Sequence, residues 1–461
     1  MTINNQKIKI YFVGIGGIGM SGIAELMHEI GYTVLGSDKI ESENVKRLKK
    51  IGIMVKIGHD KKNLRKVNAV VFSYAISSKN PEIKEAKKKR IPIVSRADML
   101  SELMKNKKCI AVAGSHGKTT TTSLVGNILE SGKLDPTIVN GGIINSLSKN
   151  NKFGKGKWMV VEADESDGSF LKLPHEISII TNLDIEHLDY YKTPKKLYSS
   201  FEKFIMNLPF YGTSIINEDD KNLKKIIQKN DTRRIITFSI KNKKSNVFVD
   251  NIHFDKQYSH FTLNFSFSDE KLSKSYSYKL NAIGLHNIYN AAASIIAGHL
   301  VGVKNSFIKN ALKNYIGVKR RFTFLGKVNL ADIYDDYAHH PTEIAATLLG
   351  AKQINKNIIV VFQPHRYSRT KVLFNDFIKT LSKINKLYLL DTYSAGEKVL
   401  KNYETKNIFM KLKKNNKKVK YSSNKNLNSI IYNETKKNNI IIFMGAGSIS
   451  KIAHNFININ A

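Results

Sequence analysis

"CIAVAGSHGKTTTTSLVGNILESG" occupies residues 109–132 and decides how the rest of the chain is read. The apolar run before Gly114 reads as a strand. The run after Gly117 has the composition of a helix. Between them lies G-x-x-G-K-T, formed by Gly114, Gly117, Lys118 and Thr119. The common phosphate-binding loop, G-x-x-x-x-G-K-[ST], spaces its glycines by five positions. Here the spacing is three. A strand end opening into a helix N-terminus still suits phosphate, because backbone N–H groups and the helix dipole converge there. The expectation is an ATP loop made of Gly114, Ser115, His116, Gly117, Lys118, Thr119 and Thr120. Lys118 then lies over the outer phosphates, and Thr119 on Mg2+. The competing reading is a chance G-K-T.

The next two apolar runs argue against chance. "KWMVVEADESD" (157–167) and "EISIITNLDIEHLD" (176–189) each end in acidic or polar residues. In parallel sheets, ligands sit at the carboxyl ends of strands. Glu162 and Glu165 lie at the first end and His187 past the second. Carboxylate and neutral imidazole beside a loop threonine make a reasonable Mg2+ environment. The alternative is a set of solvated strand-end charges. For Glu165 it is a supporting or surface role.

Working outward, a second glycine loop appears at 14–22, "GIGGIGMSG". Gly14, Gly16 and Gly19 form G-x-G-x-x-G after a strand, with Gly17 between. This fits a pyrophosphate at a helix N-terminus. Asp38, 24 residues beyond Gly14, ends the next strand and suits a ribose or base contact, or a surface cap. Towards the other end, "ADIYDDYAHHP" (331–341), "NIIVVFQPH" (357–365), "KLYLLDTYSAG" (386–396) and "NIIIFMGAGS" (439–448) repeat the strand-then-polar pattern. The stretch 232–282 alternates polar with aromatic or β-branched residues and reads as an antiparallel excursion. The fold class expected is α/β with three domains. These are a Rossmann-like domain at 1–107, a central P-loop ATPase-type domain with a mostly parallel sheet at 108–317, and a Rossmann-like domain at 318–461.

Composition agrees. A chain of 461 residues is long for one domain. A single cysteine, Cys109, excludes a disulfide framework and a cysteine metal cluster. The start lacks a signal-peptide pattern, and no window approaches the ~18–20 continuous apolar residues of a spanning helix. The expectation is a cytoplasmic protein without a membrane partner. The net charge of +36 comes mostly from Lys spread along the whole chain. A nucleic-acid footprint would cluster and carry interleaved Arg and aromatics, so no nucleic-acid partner is expected. A basic surface does favour polyanionic substrates such as nucleotides.

Several motifs, in order, resemble one family. "GSHGKTTTT", "NLDIEHLD", "GLHNIYNAAA" (284–293), "VKRRF" (318–322) and "DDYAHHP" are similar to the Mur ligases of peptidoglycan synthesis. "GIGGIGMSG", "SRADMLSELM" (95–104), "NLPFYG" (207–212), "QPHRYSRT" (363–370) and "MGAGSI" (444–449) resemble the member that adds the first amino acid. The resemblance covers essentially the whole chain, and in this family the short loop spacing is normal. It implies that the first domain binds the UDP part of UDP-N-acetylmuramate, the second ATP and the third L-alanine. It implies Mg2+ at Thr119 and Glu162, with a second Mg2+ at His187. Asn287 and Asn290 would face adenine. Arg321 and Asp336 would form a pair reaching ATP, and His340, His365, Arg366 and Arg369 would receive alanine. Lys118, Glu162, His187, Arg321 and Asp336 would be the catalytic set, in a monomer or weak homodimer. Lys203 lies where some later ligases of the pathway carry a carbamylated lysine, but "FEKFIMNLP" around it matches the alanine enzyme, so carbamylation is not expected. A tripeptide-adding murein-peptide ligase shares most of these motifs. A nicotinamide dehydrogenase would leave the 111–122 loop without a use.

Overall fold

The computed structural model describes residues 8–73, 76–229, 232–255, 257–266, 274–354, 357–414, 418–422 and 426–460. Three sheets follow one another along the chain. Lys9–Val13, Thr33–Asp38, Met54–Ile57, Ala69–Phe72 and Ile93–Ser95, β1 to β5, form the first sheet in the order β3-β2-β1-β4-β5. All its pairings are parallel. The order reverses next to β1, and in such sheets the crevice at that reversal receives the ligand. The first glycine loop leaves β1 at this point and opens the helix Ile18–Glu29.

The second sheet has ten strands, β6 to β15: Lys108–Ala113, Thr137–Ile144, Lys149–Lys152, Trp158–Glu162, Ile177–Ile180, Thr213–Asn217, Arg234–Ser239, Val247–Asp255, Tyr258–Phe265 and Lys274–Leu280. Their order is β15-β14-β13-β12-β11-β10-β6-β9-β7-β8. From β7 to β13 the neighbouring pairs are parallel. β8 is antiparallel at the edge. β13 and β14 are neighbours in the sheet and only two residues apart in sequence, and only antiparallel strands join that closely. The antiparallel excursion therefore begins at β13. β12, which falls inside the alternating stretch, is still parallel to β11. Residues 256 and 267–273 of that stretch lie outside the described residues.

The third sheet contains Thr323–Val328, Ala331–Asp336, Asn357–Phe362, Lys386–Leu389, Val419–Tyr421 and Asn439–Met444, β16 to β21, ordered β16-β17-β21-β18-β19-β20. Only the β16–β17 hairpin is antiparallel among its pairs.

The chain divides into two compact units. One comprises residues up to Asn251, Phe261–Tyr278 and Tyr289–Tyr315; the other comprises Ile252–His260, Lys279–Ile288 and Ile316 onward. In the first unit, one buried apolar cluster joins the first two sheets. It runs from Met20, Ile23 and Met27, through Met99, Leu100 and Met104, to Cys109, Phe170 and Phe204. The second unit buries two clusters, on either face of its own sheet. Among the described residues, no helix is long and apolar enough to cross a membrane.

Candidate active site

The loop after β6 is shaped by its two glycines. Gly114 has φ +130°, and a methyl group there would come 2.2 Å from Thr181 Oγ1. Gly117, at φ +82°, is the left-handed residue before the helix Lys118–Ser131. A methyl group at Gly117 would come 2.5 Å from Asn290 Oδ1. The loop is pinned from β10. Asn182 Oδ1 accepts from His116 N at 2.8 Å, and Thr181 Oγ1 donates to His116 O at 2.6 Å. The His116 ring pairs with Asp184 at 2.9 Å. His116 thus ties the loop to the strand-end segment 181–184.

Lys118 Nζ donates to Gly114 O at 2.5 Å and to Ser115 O at 3.2 Å, and pairs with Glu165 Oε1 at 2.8 Å. Burial opposes its charge, but Glu165, Asp164 and Glu162 outweigh burial and hold its pKa above the ordinary lysine range. Glu165 is itself buried, and burial pushes its carboxyl up to about 7 against the pull of Lys118. Lys118 is therefore a fixed cation, as a triphosphate partner must be.

Thr119 Oγ1 donates to Glu162 Oε1 at 3.2 Å, and Gly141 N donates to Glu162 Oε2 at 2.7 Å. Hydroxyl and carboxylate side by side at a phosphate loop are hard oxygen donors that suit Mg2+. His187 is placed with different neighbours. It has φ +56° and lies 3.7 Å from Glu165 Oε1. Its ligand atom groups with those of Glu165 and Glu186 within 4.8 Å. Two oxygen-rich groups thus flank Lys118. The sequence reading gave Glu165 a secondary place and omitted Glu186, although both stand in the strand-end motifs it singled out.

Asn290 is buried against Gly117. Asn287, one turn earlier in the helix Leu285–Leu300, donates to Ile283 O at 2.8 Å.

At the first glycine loop, Gly14 has φ +77°, and Gly14 N and Ile15 N both donate to Ser37 O, at 2.8 and 3.0 Å. Gly16 N donates to Asp38 Oδ2 at 2.8 Å. Asp38 staples the loop. The helix Ile18–Glu29 starts at Gly17 without a side-chain cap, so its first-turn N–H groups are the ones left for an anion. Gly19 lets Arg96 lie across the helix, since a methyl group there would come 2.9 Å from Arg96 Nη1.

In the second unit, Arg320 and Phe322 have φ +63° and +49°. Such backbone strain around Arg321 is kept only where the surroundings enforce it. Asp336 enforces it: Oδ2 accepts from Phe322 N, and Oδ1 from Ala338 N, each at 2.7 Å. Burial raises the Asp336 pKa to about 6. Arg321 pairs with Glu343 at 3.8 Å and lies over the Tyr337 ring at 5.2 Å. Asp336 thus fixes the turn that carries Arg321. Glu343, which the sequence reading missed, also accepts from His339 N at 3.0 Å and His340 N at 3.3 Å. Arg366 has φ +68° at the start of the helix Tyr367–Val372. Arg369 Nη1 is 3.3 Å from His365 Nδ1, and His365 stacks on Tyr393. Burial, then His339 and the two arginines, lower the His365 pKa to about 3. The ring is neutral at physiological pH, so the positive charge of this group lies on guanidinium groups.

Residues 9–108 match the model of the Mur ligase family catalytic domain. Residues 112–298 match the Mur ligase middle domain, and 320–447 the Mur ligase glutamate ligase domain. The UDP-N-acetylmuramate–L-alanine ligase of Rickettsia felis is 44% identical over 465 residues, covering 98% of this chain and 96% of the relative. That of Rickettsia canadensis is also 44% identical. The solved UDP-N-acetylmuramate–alanine ligase of Thermotoga maritima superposes with TM-score 0.82 at 30% identity, covering 98% of each chain. A murein peptide ligase from Psychrobacter arcticus shares the fold, with TM-score 0.72 at 24% identity and 98% of each chain covered.

Proposed function

The chain belongs to the Mur ligase family, and from that premise we propose that it joins L-alanine to the lactyl carboxylate of UDP-N-acetylmuramate at the expense of ATP. The observation that carries this reading is the half-buried Lys118, clasped by the loop carbonyls and Glu165, with Thr119 and Glu162 beside it. The lactyl carboxylate attacks the γ-phosphorus of ATP. The bond from that phosphorus to the β–γ bridging oxygen breaks, ADP leaves with its electron pair, and an acyl phosphate remains. The amine of L-alanine then attacks the acyl carbon and loses a proton, and phosphate leaves with its electron pair. The physical difficulty is bringing a carboxylate against a triphosphate. Lys118 stays charged because its carboxylates outweigh burial, and it balances charge as it develops on the γ-phosphate. Arg321, aimed by Asp336 and Glu343, adds a second cation.

Thr119 and Glu162 would hold one Mg2+, and His187 with Glu165 and Glu186 a second. The ions supply charge neutralisation of the phosphates. Asn290, packed on the loop, and Asn287 serve the adenine end. Gly14, Gly16, Gly17 and Gly19 with Asp38 shape the UDP loop. Arg366 and Arg369 suit the alanine carboxylate, because a guanidinium binds it through two N–H groups; His340 and the neutral His365 complete that pocket. We place the domain boundaries at 107/108 and 317/318. The protein works in the cytoplasm, as a monomer or weak homodimer, without nucleic acid or membrane.

The test is phosphate release from ATP with UDP-N-acetylmuramate, Mg2+ and either L-alanine, serine, glycine or the L-alanyl-γ-D-glutamyl-diaminopimelate tripeptide. Turnover highest with L-alanine is expected. Turnover with the tripeptide alone would overturn the reading.

A further inference from the structure

Glu82 is fully buried in the first unit, in the helix Pro81–Lys88 beside the first sheet. Four donors converge on its carboxylate. Tyr11 OH and Asn63 Nδ2 reach Oε1, each at 2.8 Å. Ser37 Oγ reaches Oε2 at 2.6 Å and His59 Nδ1 at 3.0 Å. A carboxylate has about four acceptor positions, so this one is saturated. Burying a charge is costly, and apolar packing would serve stability as well. The arrangement is therefore better explained by what it holds in place.

What it holds is Ser37. Its hydroxyl lies between Glu82 and the His59 ring, 2.9 Å from Nδ1. Its carbonyl accepts from Gly14 N and Ile15 N, and the next residue, Asp38, accepts from Gly16 N. Three successive N–H groups of the first glycine loop hang on two residues at the end of β2, and Glu82 fixes the first of them. The second nitrogen of His59 is buried and finds no hydrogen-bond partner among the described residues, so that ring too is oriented through Glu82 and Ser37.

We propose that Glu82 is the positioning residue of the UDP loop, setting through Ser37 the height at which Gly14–Gly19 meets the pyrophosphate. The inference rests on the function proposed above in taking UDP as the loop's ligand. It is tested by titrating UDP calorimetrically into the full-length wild type and Glu82→Gln. Glu434→Gln serves as control, since it removes another mostly buried carboxylate, bonded to Tyr388 and Lys386 beneath the third sheet. UDP binding about tenfold weaker in Glu82→Gln, with ATP binding unchanged, is expected from loss of one charge-assisted anchor. Both variants should melt earlier, but only the first should lose UDP affinity. Should Glu82→Gln fail to fold, Ser37→Ala takes its place. It keeps the carbonyl and removes the hydroxyl that ties Ser37 to Glu82 and the His59 ring, and a several-fold loss of UDP affinity is expected. Unchanged UDP affinity in a folded Glu82→Gln or Ser37→Ala would overturn the inference. Absence of UDP binding by the wild type would instead remove the reading on which it rests. Absence of L-alanine turnover by a wild type that binds UDP would overturn the ligase reaction and leave the role of Glu82 standing.

Discussion

At the scale of single residues, the site is governed by charges kept in places that disfavour charge. Lys118 and Glu165 show this together. Lys118 is the main group drawing the Glu165 pKa down, while burial drives it up to about 7. Removing the lysine takes away the largest opposition to burial, so Glu165 takes up a proton at neutral pH rather than staying as a bare buried charge. Lys118→Ala is therefore expected to stay folded, with a melting temperature within a few degrees of wild type, yet to lose turnover by about a hundredfold or more. Steady-state phosphate release and a thermal melt check both halves, and near-native turnover would take the loop lysine out of the mechanism. Asp336 gives a pH signature. Its folded pKa of about 6 stands above the ordinary carboxylate value. A raised carboxyl contributes stability that is complete below about pH 4, the unfolded pKa, and is lost as pH rises through 6. Asn does not titrate. The stability of Asp336→Asn relative to wild type should accordingly improve between pH 4 and pH 7, by on the order of 2 kcal/mol. Denaturant melts at both pH values measure it, and a gap that stays flat would show that the carboxyl is not destabilised by burial.

At the scale of elements, what was legible in the sequence is what depends on local chemistry. A strand, a glycine turn and a helix announce themselves through apolar runs and through positions that only glycine fills without strain. Both glycine loops and the strand-end acids Glu162 and Glu165 were found that way. Partners that depend on which strands lie side by side were not legible. β10 lies next to β6, which brings Thr181, Asn182 and Asp184 onto the ATP loop. Glu186 joins Glu165 and His187 for the same reason. The link from Asp336 to the Arg321 turn was not legible either, because a motif shows two charges but not the backbone N–H that satisfies one of them. β12 carried an alternating pattern yet pairs in parallel, since alternation reports a half-buried face and not strand direction. The glycines allow a sharper test. Gly117 and Gly31 both have positive φ, so alanine strains both by about 1 kcal/mol. At Gly31 an added methyl group meets nothing, whereas at Gly117 it runs into the Asn290 amide. Gly117→Ala should weaken ATP binding at least tenfold, while Gly31→Ala should cost only stability. Nucleotide titrations of the two variants decide it, and equal ATP affinity would mean that Asn290 is not fixed against the loop.

At the scale of the whole molecule, sequence alternation and buried surface divide the chain differently. Alternation suggests three domains, each with its own sheet. On one face of the first sheet the apolar interior is instead shared with the second sheet, since Met99, Leu100 and Met104 on the connecting helix fall in one cluster with Met20 and Ile23 and with Phe170 and Leu173, while Tyr11, Val13, Leu64, Val70, Ile83 and Ala86 form a smaller cluster of the first sheet's own. The third sheet keeps its interior to itself: both of its clusters are built wholly from residues between Val328 and Phe456. A domain folds alone only if the apolar surface that it buries comes from its own residues. The boundaries at 107/108 and 317/318 should therefore behave unlike each other when the chain is cut there. A fragment of residues 1–107 would expose the methionine-rich faces of two helices, and should aggregate or bind a hydrophobic dye without a cooperative melt. A fragment of residues 318–461 retains both of its clusters and should unfold in a single transition. Expressed separately and compared by circular dichroism melts, a cooperative 1–107 fragment beside a molten 318–461 fragment would show that the shared cluster contributes little and that the sheets, not the interior they bury, are the folding units.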